Sequence, residues 1–252
     1  KYKSMRNYYT RACNFYYGSH AQNLIKKKLA LSLCGKKDAA FDNVEILSRD
    51  KPTKLINIKN IKKLPNKIKK IVITDLKKIT SHRKNLNKYT DISKPLIMGV
   101  LNLTPDSFSD GGLYNNSNRA FQHIEEMISN GAEIIDIGGE STRPGSKDIP
   151  HRTEWKRLEK VISNFKKKFS KILLSVDTRK SDVMLKAIKH KSELINDVSG
   201  FNYDSKAIDK IKNYNVWKVL HHMQGTPNNM QINPTYKNVL LDIYDFFEKK
   251  ID

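Results

Sequence analysis

The sequence of 252 residues predicts an α/β fold with parallel strands, and two observations support this prediction. From Pro95 onwards, apolar runs of strand length alternate with segments whose apolar residues recur at helical spacing. Runs such as "IMGVL" and "ILLSV" are almost continuously apolar, which is typical of strands covered by helices on both faces. A series of such βα units fits either a (β/α)₈ barrel or an open, doubly wound sheet.

Five βα units are predicted in this region. The strands are expected at 96–103, 133–139, 171–178, 193–200 and 217–224. The helices are expected near 118–130, 153–169, 180–190 and 204–215, with a last helical segment at 238–251. Ser117 or Asn118 would cap the first helix, and Gly131 would end it. The second helix would follow Thr153, with Glu154 in its first turn.

Residues 1–94 have a less regular pattern. We predict that they form a small, partly ordered N-terminal extension, and that residues 95–252 form the α/β domain. Within the extension, a short helix is expected to end at Gly35, and the segments "FDNVEILS" and "KIVITDL" are expected to form strands.

The extension holds most of the excess positive charge. The net charge is +21, and residues 1–94 carry 24 of the 47 basic residues but only 6 of the 26 acidic ones. A nucleic-acid surface is one interpretation. However, most of the basic residues are lysine rather than arginine, and no basic motif interleaved with aromatic residues is visible. Compositional bias therefore explains the charge better, and nucleic acid is not the expected partner.

Other classes of protein are also disfavoured. No apolar run reaches the length of a membrane span, so no membrane association is expected. The two cysteines, Cys13 and Cys34, form neither a disulfide framework nor a zinc motif, and a reducing cytoplasm is the simplest compartment. Neither a GxxxxGK[ST] or GxGxxG motif nor a nucleophile elbow is present.

Each predicted strand ends in polar residues. These are Asn102, Asp136, Asp177, Asn196 with Asp197, and the pair His221 and His222. The carboxyl ends of parallel strands meet at one edge, so we expect these residues to form a pocket. Adjacent residues of a strand face opposite sides, so only one of the two histidines should face that pocket.

The residue types suggest what the pocket binds. Asp177 and Asn196 suit a flat heterocycle with hydrogen-bond donors along one edge, such as an aminopyrimidine. Arg143 lies in the glycine-containing loop "GGESTRPGS" and offers a forked donor for an anionic group. Without further information, each of these residues also fits a purely structural role at a strand end.

Five motifs together resemble one known family. "MGVLNLTPDSFSDGG", "GAEIIDIGGESTRPGS", "SVDT", "INDVSG" and "HMQGTP" are similar in sequence and order to the dihydropteroate synthases of the pterin-binding family. The resemblance covers about residues 95–235. It implies a TIM barrel, a cytoplasmic transferase of folate biosynthesis, and the joining of 6-hydroxymethyl-7,8-dihydropterin diphosphate to 4-aminobenzoate with release of pyrophosphate.

The resemblance also implies roles for individual residues. Asn102 matches a Mg²⁺ ligand, and Asp177 and Asn196 match residues that hold the pterin. Asp177, Asn196 and Arg143 would be the catalytic residues. The remaining matches are Thr142 and Arg143 near the diphosphate, Phe108 and Pro144 at the aminobenzoate site, and Asp106 and Asp136 as organisers of the strand ends and loops.

Five of the eight units of such a barrel are predicted here. We therefore expect residues 1–252 to be a fragment with weak or no activity alone, and expect the full-length protein to be a homodimer, as family members usually are. Residues 1–94 loosely resemble the N-terminal extension of some bacterial synthases. Two alternatives remain open: a related pterin-binding methyltransferase domain, and a non-enzymatic nucleic-acid-binding fragment.

Overall fold

The computed structural model describes residues 6–104, 113–141, 148–226, 229–230 and 232–251. The chain forms two compact units, each described here by itself. The first unit contains Lys1–Lys84 and Tyr236–Asp252, and the second contains Asn85–Thr235. The units therefore divide the chain after residue 84 and again after residue 235, whereas the sequence predicted one boundary between 94 and 95.

The first unit is built on a four-stranded antiparallel sheet. Strand β3 is central, and it pairs with β1 on one side and with β2 and β4 on the other. The elements are β1 (Tyr9–Tyr17), α1 (Gly18–Lys26), β2 (Leu31–Ser32), β3 (Ala39–Leu47), β4 (Lys54–Asn57), a 3₁₀ helix (Ile58–Lys63) and α2 (Asn66–Thr80), followed after the second unit by α7 (Val239–Ile251). Residues 6–84 are thus more regular than the partial order that the sequence predicted.

Helix α2 corrects one prediction, because "KIVITDL" was expected to be a strand. Its β-branched residues favour a strand locally. Over a longer window, however, Ile68, Val72, Leu76 and Ile79 recur at helical spacing, and all four pack in the cluster around Phe41. This apolar stripe outweighs the local strand preference. The strand predicted at "FDNVEILS" is confirmed as part of β3.

The second unit is a parallel sheet with the predicted βα units. Its strands lie in chain order, β5-β6-β7-β8-β9. The elements are β5 (Met98–Asn102), α3 (Leu113–Ser129), β6 (Ile134–Gly138), α4 (His151–Lys168), β7 (Leu173–Asp177), α5 (Ser181–Lys189), β8 (Leu194–Asp197), α6 (Ala207–Ile211) and β9 (Trp217–Leu220). The five predicted strands and the type of every helix between them are confirmed, although α6 is shorter than expected.

The predicted helix starts were less accurate than the ends. Helix α3 begins at Leu113 rather than at Ser117 or Asn118, and α4 begins at His151 rather than after Thr153. Gly131 does end α3, because its φ of +101° allows the backbone to leave the helix. Short polar residues also occur within the first turns of a helix, so their presence alone does not mark the first helical residue.

Alternate residues of the sheet face two different environments. One face packs against the helices and forms the main core, contributing Leu101, Ile135, Ile137, Leu174, Val176 and Ile195. On the other face, Ile134, Leu173 and Leu194 pack near the amino ends of the strands together with Leu86 and Leu96. Towards the carboxyl ends this second face becomes polar, and it is there that the predicted site residues lie. In the described part of the chain, no helix has the length and apolar content needed to cross a bilayer.

Candidate functional site

One row of residues crosses the carboxyl ends of four neighbouring strands. Asn102 on β5 pairs in register with Gly138 on β6, which pairs with Asp177 on β7, which pairs with Asn196 on β8. Residues paired in this way point to the same face of a parallel sheet. The structure therefore brings together three of the residues that the sequence singled out.

Gly138 lets two of these side chains approach each other. A methyl group at Gly138 would lie 3.3 Å from Asn102 Oδ1 and 3.4 Å from Asp177 Oδ2. The two oxygens therefore flank the same backbone position, and a side chain larger than a methyl group there would displace them. Amide and carboxylate oxygens are hard donors, as Mg²⁺ prefers, and Mg²⁺ needs few protein ligands because it keeps waters and binds substrate phosphates. Among the described residues, no three His, Cys, Asp or Glu side chains form a metal-binding group.

Asp177 has an unusual protonation equilibrium. Burial, followed by the negative charges of Asp136, Glu154, Asp197 and Glu140, raises the pKa of Asp177 to about 7. The carboxyl group is therefore partly protonated at neutral pH. A bound group that donates hydrogen bonds to it would favour the ionised form, so binding and protonation are coupled.

Behind this row, four side chains are joined by hydrogen bonds. Asp136 is buried, and its Oδ1 accepts from Ser175 Oγ at 2.6 Å while its Oδ2 accepts from Asn196 Nδ2 at 2.9 Å. Asn196 Oδ1 in turn lies 2.7 Å from His221 Nε2. Of the predicted histidine pair, His221 thus contacts the site. The predicted organising position of Asp136 is consistent with these contacts.

A second cluster lies beside the row and involves two carboxylates and two cations. Glu140 Oε2 accepts from Arg179 Nε at 2.9 Å, and Glu140 Oε1 lies 2.7 Å from Lys180 Nζ. Lys180 also donates to Glu154 Oε2 at 2.8 Å, and all of these side chains are largely buried. Burial opposes ionisation of Glu140, but the hydrogen bonds from Arg179 and Lys180 outweigh it and lower the pKa of Glu140 below its usual value.

Arg179 extends this cluster to residues between β6 and α4. Its guanidinium also bonds to Asp148, which lowers the pKa of that carboxyl, and it stacks 4.0 Å above the ring of Tyr203. Tyr203 completes the arrangement by donating to Asp148 Oδ2 at 3.1 Å. Arg179 thus binds Glu140 and Asp148, on either side of residues 142–147. Sequence analysis did not indicate these partners of Arg179.

Asp197 has a structural role rather than a place in the pocket. Its Oδ1 accepts from the backbone and hydroxyl of Ser199, both at 2.7 Å, and its Oδ2 accepts from the backbone N–H of Phe201 at 3.1 Å. These bonds stabilise the turn after β8. Burial nevertheless raises the pKa of Asp197 above its ordinary value.

The other predicted site residues lie outside the described part of the chain. These are Asp106, Phe108, Thr142, Arg143 and Pro144. The role proposed for each of them stays a prediction from sequence resemblance.

A cavity of about 490 Å³ lies at the opposite end of the sheet, and it does not contain the predicted residues. Its lining comes from the segments that precede β7, β8 and β9, and includes Lys166, Glu193 and Tyr214. Lys166 and Glu193 form an ion pair with each other, so neither charge is free to specify a ligand. Function in α/β sheets of this kind is found at the carboxyl ends of the strands instead.

A parallel sheet with polar side chains at its carboxyl ends is the arrangement in which α/β barrel enzymes bind their ligands, and it defines the class of this protein as α/β. Comparison with known proteins then gives the family. The family described as "Pterin binding enzyme" matches residues 98–252, and this chain belongs to it. Of the two architectures that fit the sequence, the barrel is confirmed: the second unit has the α/β fold of a TIM barrel, with five parallel strands and the four helices between them.

Three relatives illustrate the similarity. Dihydropteroate synthase of Haemophilus influenzae is 40% identical over 164 residues, which are 65% of this chain and 59% of that protein. The structure of Yersinia pestis dihydropteroate synthase with a sulfonamide drug complex is 42% identical, with a TM-score of 0.59, over 64% of this chain and 58% of that one. The structure of Burkholderia cenocepacia dihydropteroate synthase complexed with 7,8-dihydropteroate is 36% identical, with a TM-score of 0.53, over 62% and 52%. The chain thus spans little more than half of these relatives.

Proposed function

We propose that this chain supplies the pterin-binding part of a dihydropteroate synthase, a transferase of folate biosynthesis. The reaction joins 6-hydroxymethyl-7,8-dihydropterin diphosphate to 4-aminobenzoate and releases pyrophosphate. The observation that supports this most directly is the row of Asn102, Asp177 and Asn196 across neighbouring strand ends, with Asp177 half-buried. The relatives described above are dihydropteroate synthases, which favours this activity over the methyltransferase alternative.

Asp177 and Asn196 would bind the pterin edge. The Asp177 carboxylate accepts hydrogen bonds, and the Asn196 amide can both donate and accept. Together they match an aminopyrimidine ring, whose edge carries donors next to an acceptor. The pKa of Asp177 is raised to about 7. Hydrogen bonds donated by the bound pterin would therefore lower this pKa and favour the ionised carboxylate.

The mechanism that we propose is dissociative. The bond between the pterin methylene carbon and the diphosphate oxygen breaks first, its electron pair leaves with the diphosphate, and a cation remains on the pterin. The amine of 4-aminobenzoate then forms the new C–N bond and loses a proton. Asp177, once ionised by pterin binding, would place its negative charge beside the pterin and so stabilise the cation.

Binding of the leaving group would involve Asn102 and the loops. The Asn102 oxygen would hold Mg²⁺, which when bound neutralises charge on the diphosphate. Thr142 and Arg143 would contact the diphosphate, and Phe108 and Pro144 would border the 4-aminobenzoate site. These assignments come from the resemblance alone. A cytoplasmic location and a homodimer of the full-length protein belong to the same proposal.

We test binding first, because residues 1–252 span little more than half of the relatives. Titration calorimetry with 6-hydroxymethyl-7,8-dihydropterin diphosphate and Mg²⁺ should detect binding to the chain. Asp177→Asn and Asn196→Ala should each weaken it by about 10-fold or more, because each removes a hydrogen bond to a buried polar edge. Absence of binding by the wild-type chain would contradict the proposal, and so would variants that bind as tightly as the wild-type chain.

A matched control and a turnover assay complete this test. Asp209→Asn changes an exposed carboxylate that pairs with Lys212, outside the site, and should leave binding unchanged. Formation of dihydropteroate by residues 1–252 alone should be weak or undetectable. Turnover within about tenfold of a full-length relative would contradict the predicted low activity, although not the binding assignment.

A further inference from the structure

The chain Ser175–Asp136–Asn196–His221 connects β7, β6, β8 and the end of β9. Every distance in it lies within the normal hydrogen-bond range: 2.6 Å from Ser175 to Asp136, 2.9 Å from Asn196 to Asp136, and 2.7 Å between Asn196 and His221. Ser175 and Asp136 are buried, with exposed fractions of 0% and 4%. Water therefore cannot easily replace either partner.

The chemistry of these groups allows only one orientation of the Asn196 amide. A carboxylate accepts hydrogen bonds but does not donate them, so Asp136 must face the NH₂ group of Asn196 rather than its oxygen. The amide oxygen then faces His221, whose Nε2 must carry a proton to donate to it. Turning the amide over would place its oxygen against the Asp136 carboxylate, so that hydrogen bond would be lost, and the bond to His221 would survive only if the ring changed its tautomer.

We infer that Asp136 and His221 are positioning residues that fix the orientation of the Asn196 amide and thereby the order of donor and acceptor offered to a ligand. After these two bonds, Asn196 retains one N–H and one oxygen lone pair for that ligand. Asp177, its partner in register, offers only acceptors when ionised. The inference deepens the proposed function, on which it rests, by naming what makes Asn196 selective for one edge of a heterocycle.

The arrangement predicts discrimination between two isomeric heterocycles. Pterin and isopterin share the same ring system, but the amino and oxo groups of the pyrimidine ring are exchanged. A fixed amide matches one order of donor and acceptor and opposes the other. A site in which Asn196 turns freely could match either, so its preference for pterin would be smaller.

The first measurement is spectroscopic and needs no ligand. In ¹H–¹⁵N spectra of residues 1–252, His221 should show an Nε2–H proton that exchanges slowly with water because it is bound to Asn196. The signal is assigned by its loss in His221→Gln. The exposed His123 on α3 serves as the control, and its ring protons should exchange too fast to be seen. A rapidly exchanging His221 ring, or a protected proton on Nδ1 instead, would overturn the inference.

The second measurement is the ratio of pterin to isopterin affinity, determined by calorimetry. His221→Leu removes the donor and should reduce this ratio by about 3- to 10-fold, the usual effect of one hydrogen bond. His221→Gln keeps an N–H donor and should restore the ratio to within about 2-fold of wild type. His123→Leu should change nothing. Urea unfolding of each variant verifies that it is folded.

The two measurements separate the inference from the proposed function. If the wild-type chain binds neither pteridine, the proposed function fails, and the His221 spectrum still decides whether the amide is fixed. If pterin binds and His221→Leu leaves the ratio unchanged, the positioning role is wrong although the proposed function stands. A purely structural role for His221 would lower the stability of both substituted forms without changing the ratio.

Discussion

Asp177 is a carboxyl group whose ionisation is opposed by its surroundings. Burial acts most strongly, and four neighbouring carboxylates act in the same direction, so its pKa is raised to about 7. The unfolded chain would have the ordinary value near 4. Between these two values the folded protein holds a proton that the unfolded chain releases.

This difference predicts how stability changes with pH. As pH rises from about 4 to about 7, ionisation of Asp177 is easier in the unfolded chain, so this group makes the folded state less stable. Asp177→Asn removes the effect. It should leave the free energy of unfolding nearly unchanged at pH 4 and raise it above pH 7 by about 1–3 kcal/mol, less than the full shift implies because the side chain keeps some contact with solvent.

Urea denaturation at several pH values between 4 and 8 measures this prediction. Asp209→Asn is the control, and its effect on stability should have the opposite sign. Lys212 lowers the pKa of Asp209, so the ionised Asp209 stabilises the folded state and this contribution is lost only at acidic pH. Identical pH dependence of Asp177→Asn and wild type would show that Asp177 ionises normally.

At the scale of elements, β6 and α4 approach closely at one glycine. A Cβ at Gly139 would lie 2.9 Å from Leu158 Cγ and 3.1 Å from the backbone oxygen of Glu154. Because the second contact is with backbone, a side-chain rotation cannot relieve both. Gly139→Ala should therefore force the strand and helix apart and lower the free energy of unfolding by about 1–3 kcal/mol.

The neighbouring glycine provides the comparison for this prediction. At Gly138 an added Cβ would meet only the side chains of Asn102 and Asp177, which can move. Gly138→Ala should cost less stability than Gly139→Ala but should weaken pterin binding. Chemical denaturation and calorimetry of both variants measure this, and the reverse order of stability would contradict the packing described here.

Arg179 gives a second prediction at this scale, since it links β7 to the residues on either side of positions 142–147. Arg179→Lys keeps the charge, but one ammonium group cannot bond to Glu140 and Asp148 in the geometry of the guanidinium. We expect a loss of about 1–3 kcal/mol in the free energy of unfolding. We also expect faster amide exchange at Ile149, whose N–H donates to Glu140.

Arg11→Lys is the matched control for Arg179→Lys. Arg11 pairs with Glu45 on the sheet of the first unit, and about half of the Arg11 side chain is exposed, at 52%. Exposed ion pairs contribute little, so its replacement should change stability by less than about 0.5 kcal/mol. Equal effects of the two substitutions would show that Arg179 contributes no more than a surface ion pair.

The sequence predicted the elements of the second unit well because its strands appear as continuous apolar runs, and the three central strands, β6, β7 and β8, are largely buried on both faces. It also predicted which residues end those strands, and register then placed Asn102, Asp177 and Asn196 together. The pairing of Arg179 could not be predicted, because its partners lie 39 and 31 positions away in the chain. Helix α2 was missed because its β-branched residues have strand character in a short window.

At the scale of the whole molecule, the last helix belongs to the first unit. Arg49 bonds to Asp242 and Asp245 of α7 at 2.6 and 2.7 Å, and Tyr9 donates to Asp245 at 2.7 Å. Leu241 is buried in the same unit. The family match extends to residue 252, so a segment of the matched region packs with residues that precede it.

This packing predicts a local effect of one substitution. Arg49→Ala removes both ion pairs and should make amide exchange in Val239–Ile251 about 5-fold faster, since partly exposed charged contacts contribute on the order of 1 kcal/mol. Hydrogen-exchange mass spectrometry measures it. Arg11→Ala, in the same sheet, should leave α7 unaffected, and an unchanged α7 in Arg49→Ala would show that these ion pairs do not hold the helix.

The first unit is discontinuous along the chain, and this has a consequence for biosynthesis. A ribosome releases β1 to α2 first and α7 only later, with all of Asn85–Thr235 emerging between them. The nascent sheet must therefore remain without this helix while the second unit is being made, and Arg49 lacks its partners Asp242 and Asp245 until α7 emerges. Vectorial synthesis thus makes the unit that begins first depend on a helix that emerges only after the second unit.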